Sequence, residues 1–326
     1  MESVVSIRFY LPPPPSKIKA GDIVEIQWFN KEGKDSSLLR HIIGKDPVKT
    51  GVRLYESPAK PLIRQSVTIT EVNGKLLIIK EPLLHDLRGR WVPVLKHRLY
   101  LKNVGFEHFR IEFPDTKYAG HHIEDGFNAF YLMDLAHSWV KDVKVHNTDA
   151  AVLSSRCKNV TIDSIVVTGR TSHYSVHVSN SYGMLTTNFK FESEALHDPS
   201  LNTGAKLCVF SNGHIKTGRL DQHCGLNHQN LFDKITVNDG SQIFRHGGAK
   251  NWYPVAGLFN TFWNITINKG LKISCKNAPG ARLVGLRGVK SAIRLNYSPN
   301  AYIEGINQKG IKVPSLYHYQ LGKRLK

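Results

Sequence analysis

The sequence predicts an all-β chain, a right-handed parallel β-helix (solenoid) with an N-terminal β-rich cap segment, and three observations carry that expectation. A short phrase with two apolar residues one position apart returns about once per two dozen residues: VKDVKV at 140–145, VTIDSIVV at 160–167, LTTNFKF at 185–191, NLFDKITV at 230–237 and NTFWNITI at 260–267. Aligning the pairs puts Val143/Val145 over Ile165/Val167 at a step of 22 residues and Phe189/Phe191 a further 24 on, with Ile235/Val237 and Ile265/Ile267 30 apart. A repeat of this length is the mark of stacked coils, and the alternating x-V-x-V pieces lack the 3.6-residue period of a helix. One coil alone cannot bury its apolar pair. Stacked coils can, because alternation along each strand sends the same phase of every coil into one interior column.

Taken in order, residues 1–16 end in Pro12-Pro13-Pro14-Pro15 and read as a tail and stiff linker. Residues 17–98 contain GDIVEIQWF and SVTITEVNGKLLIIKEPL, in which Asn73-Gly74 between two β-branched runs signals a hairpin. This segment is expected to cap or flank the first coil. Residues 99–326 hold the coils and a C-terminal tail: LKNVGFEHFRIEF is the first coil, ARLVGL and AYIEGI are terminal ones, and SLYHYQLGKRLK is a lid or tail across the end. Asn103, Asn159, Asn230 and Asn260 recur at the start of coils, where stacked amides can satisfy backbone groups left unpaired by a sharp bend.

Lys plus Arg outnumber Asp plus Glu by 44 to 26 in 326 residues, a net charge of +18. Such an excess attracts a polyanion. The basic residues are scattered, and no zinc-finger spacing, RNP-like motif or basic heptad region is present, which argues against nucleic acid. No stretch has membrane-spanning length, and the N-terminus lacks a charged start followed by an apolar run. Cys157, Cys208, Cys224 and Cys275 form no CxxC pair and read as buried free thiols.

The residues with chemistry follow the apolar pairs. Gly169-Arg170-Thr171-Ser172-His173-Tyr174 follows Val167, a segment ending His197-Asp198 follows Phe191, and Arg219, Asp221 and His223 come later, then Arg245-His246. With the coils in register, these turns stack at one edge and form a groove. Imidazole and phenol supply exchangeable protons there, and guanidinium supplies fixed charge. Asp221-Gln222-His223 puts a carboxylate and an imidazole on one face of an extended strand, an arrangement that orients the ring or serves a metal. No third ligand stands at a clear spacing, so no metal ligand set is assigned.

Asn147-Thr148-Asp149 followed by AAVLSSRCKNVTIDSIVVTG resembles the coil phrasing of polygalacturonases and pectate-lyase-like right-handed parallel β-helices, over about 99–300. For a polygalacturonase, the resemblance implies a paired aspartate in the following turn that acts as acid and base on water. Arg170-Thr171 stands there instead, and the chain has no adjacent aspartates, so that constellation is broken. The segments ESEALHD, RLDQHCGLNHQNLFDKI and FRHGGA are similar to an uncharacterised β-helix family of polysaccharide-degrading bacteria. That similarity implies candidate positions at His197, Asp198, Asp221, His223, Asn230, Leu231, Phe232 and Arg245.

A basic β-helix with a groove rich in His, Arg and Tyr points to β-elimination on a uronate-containing, cell-wall type polysaccharide, that is, a polysaccharide lyase. Arg219 or Arg170 is expected to neutralise the sugar carboxylate, His173 or His223 to act as base and Tyr174 as acid, with Asp221 orienting an imidazole. Arg170, His197, Asp198, Lys216, His228 and Arg245 are expected to bind substrate. No cofactor is required, with Ca²⁺ an open option. Two alternatives stand beside the lyase. One is a glycoside hydrolase of the same fold using Asp149, Asp198 or Asp221, and the other is a noncatalytic glycan-binding or adhesion β-helix of a virus or phage particle. The expected partner is an acidic polysaccharide outside the cell, with neither nucleic acid nor membrane involved. The chain is expected to act as a monomer or one domain of a larger protein, carried in a multidomain chain or on a virion.

Overall fold

The computed structural model describes residues 18–45, 48–270, 272–297 and 299–326; the tail and proline run expected at 1–16 lie outside the described residues. Strands Ile23–Phe29, Pro61–Asn73, Leu76–Ile79 and Val94–His97 form a four-stranded antiparallel sheet. The hairpin expected at Asn73-Gly74 is there, with Gly74-Lys75 as its two-residue loop and Asn73 paired to Leu76. Gly74 adopts φ +58°, which a tight hairpin turn demands. A helix over Ser37–Ile43 covers this sheet: Ser36 caps it by accepting from the Leu39 amide at 3.0 Å, and Leu38, Leu39, Ile42 and Ile43 are buried with Trp28 and Trp91.

From there the chain is a parallel β-solenoid, about eight turns between 128 and 304, with strand Gly105–Glu112 pairing in parallel at its start. The expected columns exist. Val145 lies under Val167, Val167 under Phe191, Phe191 under Ile215, Ile215 under Val237 and Val237 under Ile267. A second column carries Phe210, Phe232 and Phe262, whose rings stack at 5.6 and 5.0 Å. The sequence phrasing skipped one coil, that of strand Val209–Thr217. Gly213 occupies its inward position, and a Cβ there would meet the Phe189 ring at 2.0 Å. One oversized ring in the coil below fills the space of two side chains, so the apolar pair is missing from the text of that coil but not from its volume.

The asparagine stack forms at Asn230 and Asn260: Asn260 Oδ1 accepts from the Asn230 backbone amide at 3.0 Å, and Asn230 Oδ1 accepts from the Cys208 amide at 3.0 Å. Ser138 and Ser181 do the same work in earlier coils through their hydroxyls, while Asn103 and Asn159 take left-handed corner conformations. The four cysteines are free and buried. The C-terminal helix Leu316–Arg324 is tethered by the buried Asp233, which accepts from Ser315 Oγ at 2.6 Å and the Leu316 amide at 2.7 Å.

The N-terminal sheet lies along the flank of the solenoid rather than over its first coil. Leu226 of the solenoid is in its core, the Leu258 amide donates to Ile42 O, and the Gly51 amide donates to Tyr253 O, each at 2.8 Å. Beneath it runs a ladder of single bridges through Lys158, Tyr182, Lys206 and His228. Lys158 is fully buried and pairs with Glu81. The opening strand meanwhile keeps Phe106 and Phe109 over a third exposed. The placement follows from the 30-residue step between Leu231 and Thr261, where extra chain over 240–258 projects sideways and supplies the docking backbone.

Three imidazoles cross this flank. His228 Nδ1 donates to Leu226 O at 2.6 Å, which leaves Nε2 as acceptor toward His85 Nε2 at 3.1 Å; His85 Nδ1 in turn accepts from His41 Nε2 at 3.2 Å. The chain of bonds requires neutral rings. Burial and the neighbouring His228 push His85 down to about 2, and burial with the nearby Lys206 pushes His228 down to about 3. An imidazole titrates near 6.5 when unfolded, so the stabilisation is complete above that pH. It erodes as pH falls from 6.5 toward 3, by about 2 kcal/mol per ring at pH 5. Denaturant unfolding at pH 7.5 and 5 is therefore expected to show a loss on the acid side that shrinks by about one ring's share in His85→Gln; an unchanged acid loss in that variant would contradict the arrangement.

Candidate functional site

The site lies on the solenoid sheet formed by Asn128–Met133, Ala150–Ser155, Ser172–Ser179, Ser200–Asn202 and Asp221–His223. Parallel register stacks Tyr174 with His197, His177 with Ser200, Ser200 with Asp221, and Asn202 with His223. Residues up to fifty positions apart in sequence thus share one patch. His173 stacks on Tyr174 at 4.1 Å and 10°, and Tyr174 lies 5.5 Å from His197 and 6.2 Å from His223. His197 and His223 meet edge to face at 4.6 Å.

Two carboxylates orient two of these rings. Asp221, fully buried, accepts from His223 Nδ1 at 2.8 Å, Ser200 Oγ at 2.7 Å and the Gly247 amide at 2.6 Å. Those donors overcome the cost of burial and hold its carboxyl down at about 2. Glu124 stands 2.9 Å from His173 Nδ1 and accepts from Tyr118 Oη at 2.7 Å. In each pair Nδ1 carries the proton toward its carboxylate. Among the described residues, His173 Nε2 is buried with no hydrogen-bond partner. Burial lowers His173 to about 4 against the opposing pull of Glu124, lowers His197 to about 3, and raises the Tyr174 phenol. At neutral pH His173 and His197 are therefore neutral imidazoles that can accept protons, and the Tyr174 phenol keeps its own.

Arg219 borders this patch. Its Nη1 donates to Leu196 O, and its Nη2 donates to Gln242 Oε1 at 3.3 Å, the same oxygen that Arg245 Nη1 reaches at 2.8 Å. Arg219 lines a hollow of about 170 Å³ together with Thr171, Leu196 and Gln242, with Glu194 and Asp239 on its wall.

Of the residues singled out from sequence, His173, Tyr174, His197, Asp221 and His223 lie together, with Arg219 at the rim and Arg245 joined to it through Gln242. Asp198 is buried beneath, accepting from Ser175 Oγ at 2.8 Å, and burial raises its carboxyl well above the ordinary range. Lys216 is exposed at the end of the adjoining sheet. Three assignments change: Asp198, expected to bind substrate, is sealed from any groove, and two more residues are committed elsewhere. His228 lies buried under the N-terminal sheet with His85, so it faces no groove. Arg170 is committed internally: its Nη2 pairs with Asp149 Oδ1 at 2.6 Å, both side chains are at most 6% exposed, and its Nε donates to Asn147 O. Asn230, Leu231 and Phe232 serve the corner ladder and the core.

The sequence reading missed His121, His122, Glu124, Tyr118 and Gly247. The first four sit on the connection between Glu112 and Asn128, where His121 lies 4.7 Å from His173 and 5.8 Å from His197. A connection of this length in a tightly turning coil, with adjacent histidines, was the available signal. Asp149 anchors it, accepting from the Gly126 and Phe127 amides at 2.9 and 2.8 Å. Arg170→Met, which leaves the buried Asp149 carboxylate without its cation, is expected to cost about 3–5 kcal/mol of stability in denaturant unfolding; a variant as stable as the parent would show Arg170 free for ligand after all.

No family model and no curated protein matches the sequence. Among solved structures the chain is similar to the tailspike protein gp49 from Pseudomonas phage LKA1, with a TM-score of 0.41 and 10% identity over 88% of this chain and 56% of that one. The chain thus spans little more than half the length of that tailspike, and the likeness assigns no residue a role.

Proposed function

We propose that the chain is a polysaccharide lyase that cleaves a uronate-containing polymer by β-elimination. The observation that carries this is the pairing of a carboxylate-held imidazole, His173, with the protonated phenol of Tyr174 at 4.1 Å, on a patch that Arg219 borders through Leu196 and His197. β-Elimination needs those parts. After a ring shift that uncovers the buried Nε2, His173 takes the C5 proton, the released electron pair forms the C4–C5 double bond, and the C4–O bond breaks as Tyr174 protonates the departing oxygen. Arg219 counters the charge that builds on the sugar carboxylate as the proton leaves. No water is consumed. The net charge of +18 favours a polyanionic substrate.

The hydrolase alternative is poorly served by its carboxylates. Asp149, Asp198 and Asp221 are all at most 2% exposed and bound to Arg170, Ser175 and His223 respectively. A glycosidase needs two carboxyl groups facing the scissile bond.

Incubation with a panel of uronate polymers is expected to produce unsaturated ends absorbing in the near ultraviolet, with the rate reduced roughly 100-fold or more in Tyr174→Phe and His173→Gln. Reducing ends without that absorbance would replace the lyase by a hydrolase. Retention of polymer with no cleavage would replace it by a glycan-binding solenoid.

A further inference from the structure

We propose that His197 Nδ1, Asp221 Oδ2 and His223 Nδ1 form a binding site for one divalent first-row transition ion, with zinc as the representative of the class. Asp221 Oδ2 is 2.8 Å from His223 Nδ1 and 3.5 Å from His197 Nδ1, and the three ligand atoms all lie within 4.8 Å of one another. An ion bonded at about 2.0–2.2 Å to nitrogen and carboxylate oxygen separates neighbouring donors by roughly 3–3.5 Å, so only small ring movements are needed.

One observation beyond proximity points to a ligand, and a second supplies the test. His197 is 7% exposed and, among the described residues, its Nδ1 is buried without a hydrogen-bond partner, although it faces Asp221 at 3.5 Å. Buried ring nitrogens ordinarily have partners, and one aimed at a carboxylate from just beyond bonding distance leaves room for an ion between them. The second is Gly247. A Cβ there would stand 2.1 Å from His223 Cε1, 2.2 Å from His223 Nδ1 and 2.5 Å from His197 Cε1, so both rings pack directly against this glycine and any larger residue would displace them. The carboxylate is already aimed, with Ser200 Oγ on Oδ2 and the Gly247 amide on Oδ1, as outer-shell donors do in metal sites. Binding requires His223 to pass its Nδ1 proton to Nε2, a change of tautomer with no net charge.

Two imidazole nitrogens and one carboxylate oxygen suit zinc and its neighbours, whereas Ca²⁺ takes oxygen ligands. The other histidine group, His121, His122 and His173, is more exposed, and its third member is already held by Glu124. It serves as the internal comparison. An ion at Asp221 would lie beside Tyr174 and reinforce Arg219 against the sugar carboxylate; that use rests on the lyase proposal, while the binding does not.

Chelator-treated protein titrated with ZnCl₂ against a fluorescent zinc indicator is expected to take up one tight equivalent. Affinity should fall at least about tenfold in His197→Gln and Gly247→Ala, each checked for native circular dichroism, and stay unchanged in His121→Gln. No zinc uptake by the parent, or parent-like uptake in folded Gly247→Ala and His197→Gln, would overturn the site, as would loss confined to His121→Gln. Zinc binding without polymer cleavage would retire the lyase and leave the site standing; cleavage by a protein that takes up no zinc would do the reverse.

Discussion

Everything in this molecule depends on parallel strand register being kept from coil to coil. The inward column from Val145 to Ile267 and the ring stack of Phe210, Phe232 and Phe262 lock each turn at one height and one phase. A slip of one residue would send those side chains to the opposite face and expose the core. The same register fixes the outer face. His197 stands over Tyr174 and Asp221 over Ser200 because Phe191 stands over Val167. The apolar interior is thus the device that gathers the polar patch, although its residues share no local motif.

Two irregular segments complete what the coils begin. The connection after Glu112 brings Glu124 to His173, and the extra chain over 240–258 brings the Gly247 amide to Asp221. The latter segment also docks the N-terminal sheet through Tyr253 and Leu258, so the flank module and the site lean on one insertion. Internal ionic contacts hold the scaffold around them: Asp149 with Arg170 below the patch, Lys158 with Glu81 under the flank, Asp233 with the C-terminal helix.

The coil phase was legible in the sequence because alternation is a two-residue signal that burial enforces, and Val143 to Ile267 carry it openly. It failed at Gly213, where the volume of Phe189 substitutes for a missing side chain, and a one-dimensional pattern cannot register a neighbour's bulk. His173, Tyr174, His197, Asp221 and His223 could be grouped because each follows an apolar pair. His228 fits the same description, yet it lies under a module whose position is set by contacts with residues 252–258. Arg170 looked like a free cation because its partner Asp149 comes from the coil before. Glu124, His121 and His122 carried no strand phrase at all, and their relevance is decided by how a loop folds back.

The central claim is that cross-coil stacking holds His173 and His223 on one face, each oriented by its own carboxylate through Nδ1–H. Long-range nitrogen–proton correlation spectra of ¹⁵N-histidine-labelled, chelator-treated protein test it most directly, with Glu124→Gln and Asp221→Asn used to assign the two rings. The account predicts a protonated Nδ1 in both rings at neutral pH, each perturbed by its own carboxylate variant. Averaged signals, Nε2–H tautomers, or rings indifferent to those substitutions would contradict it.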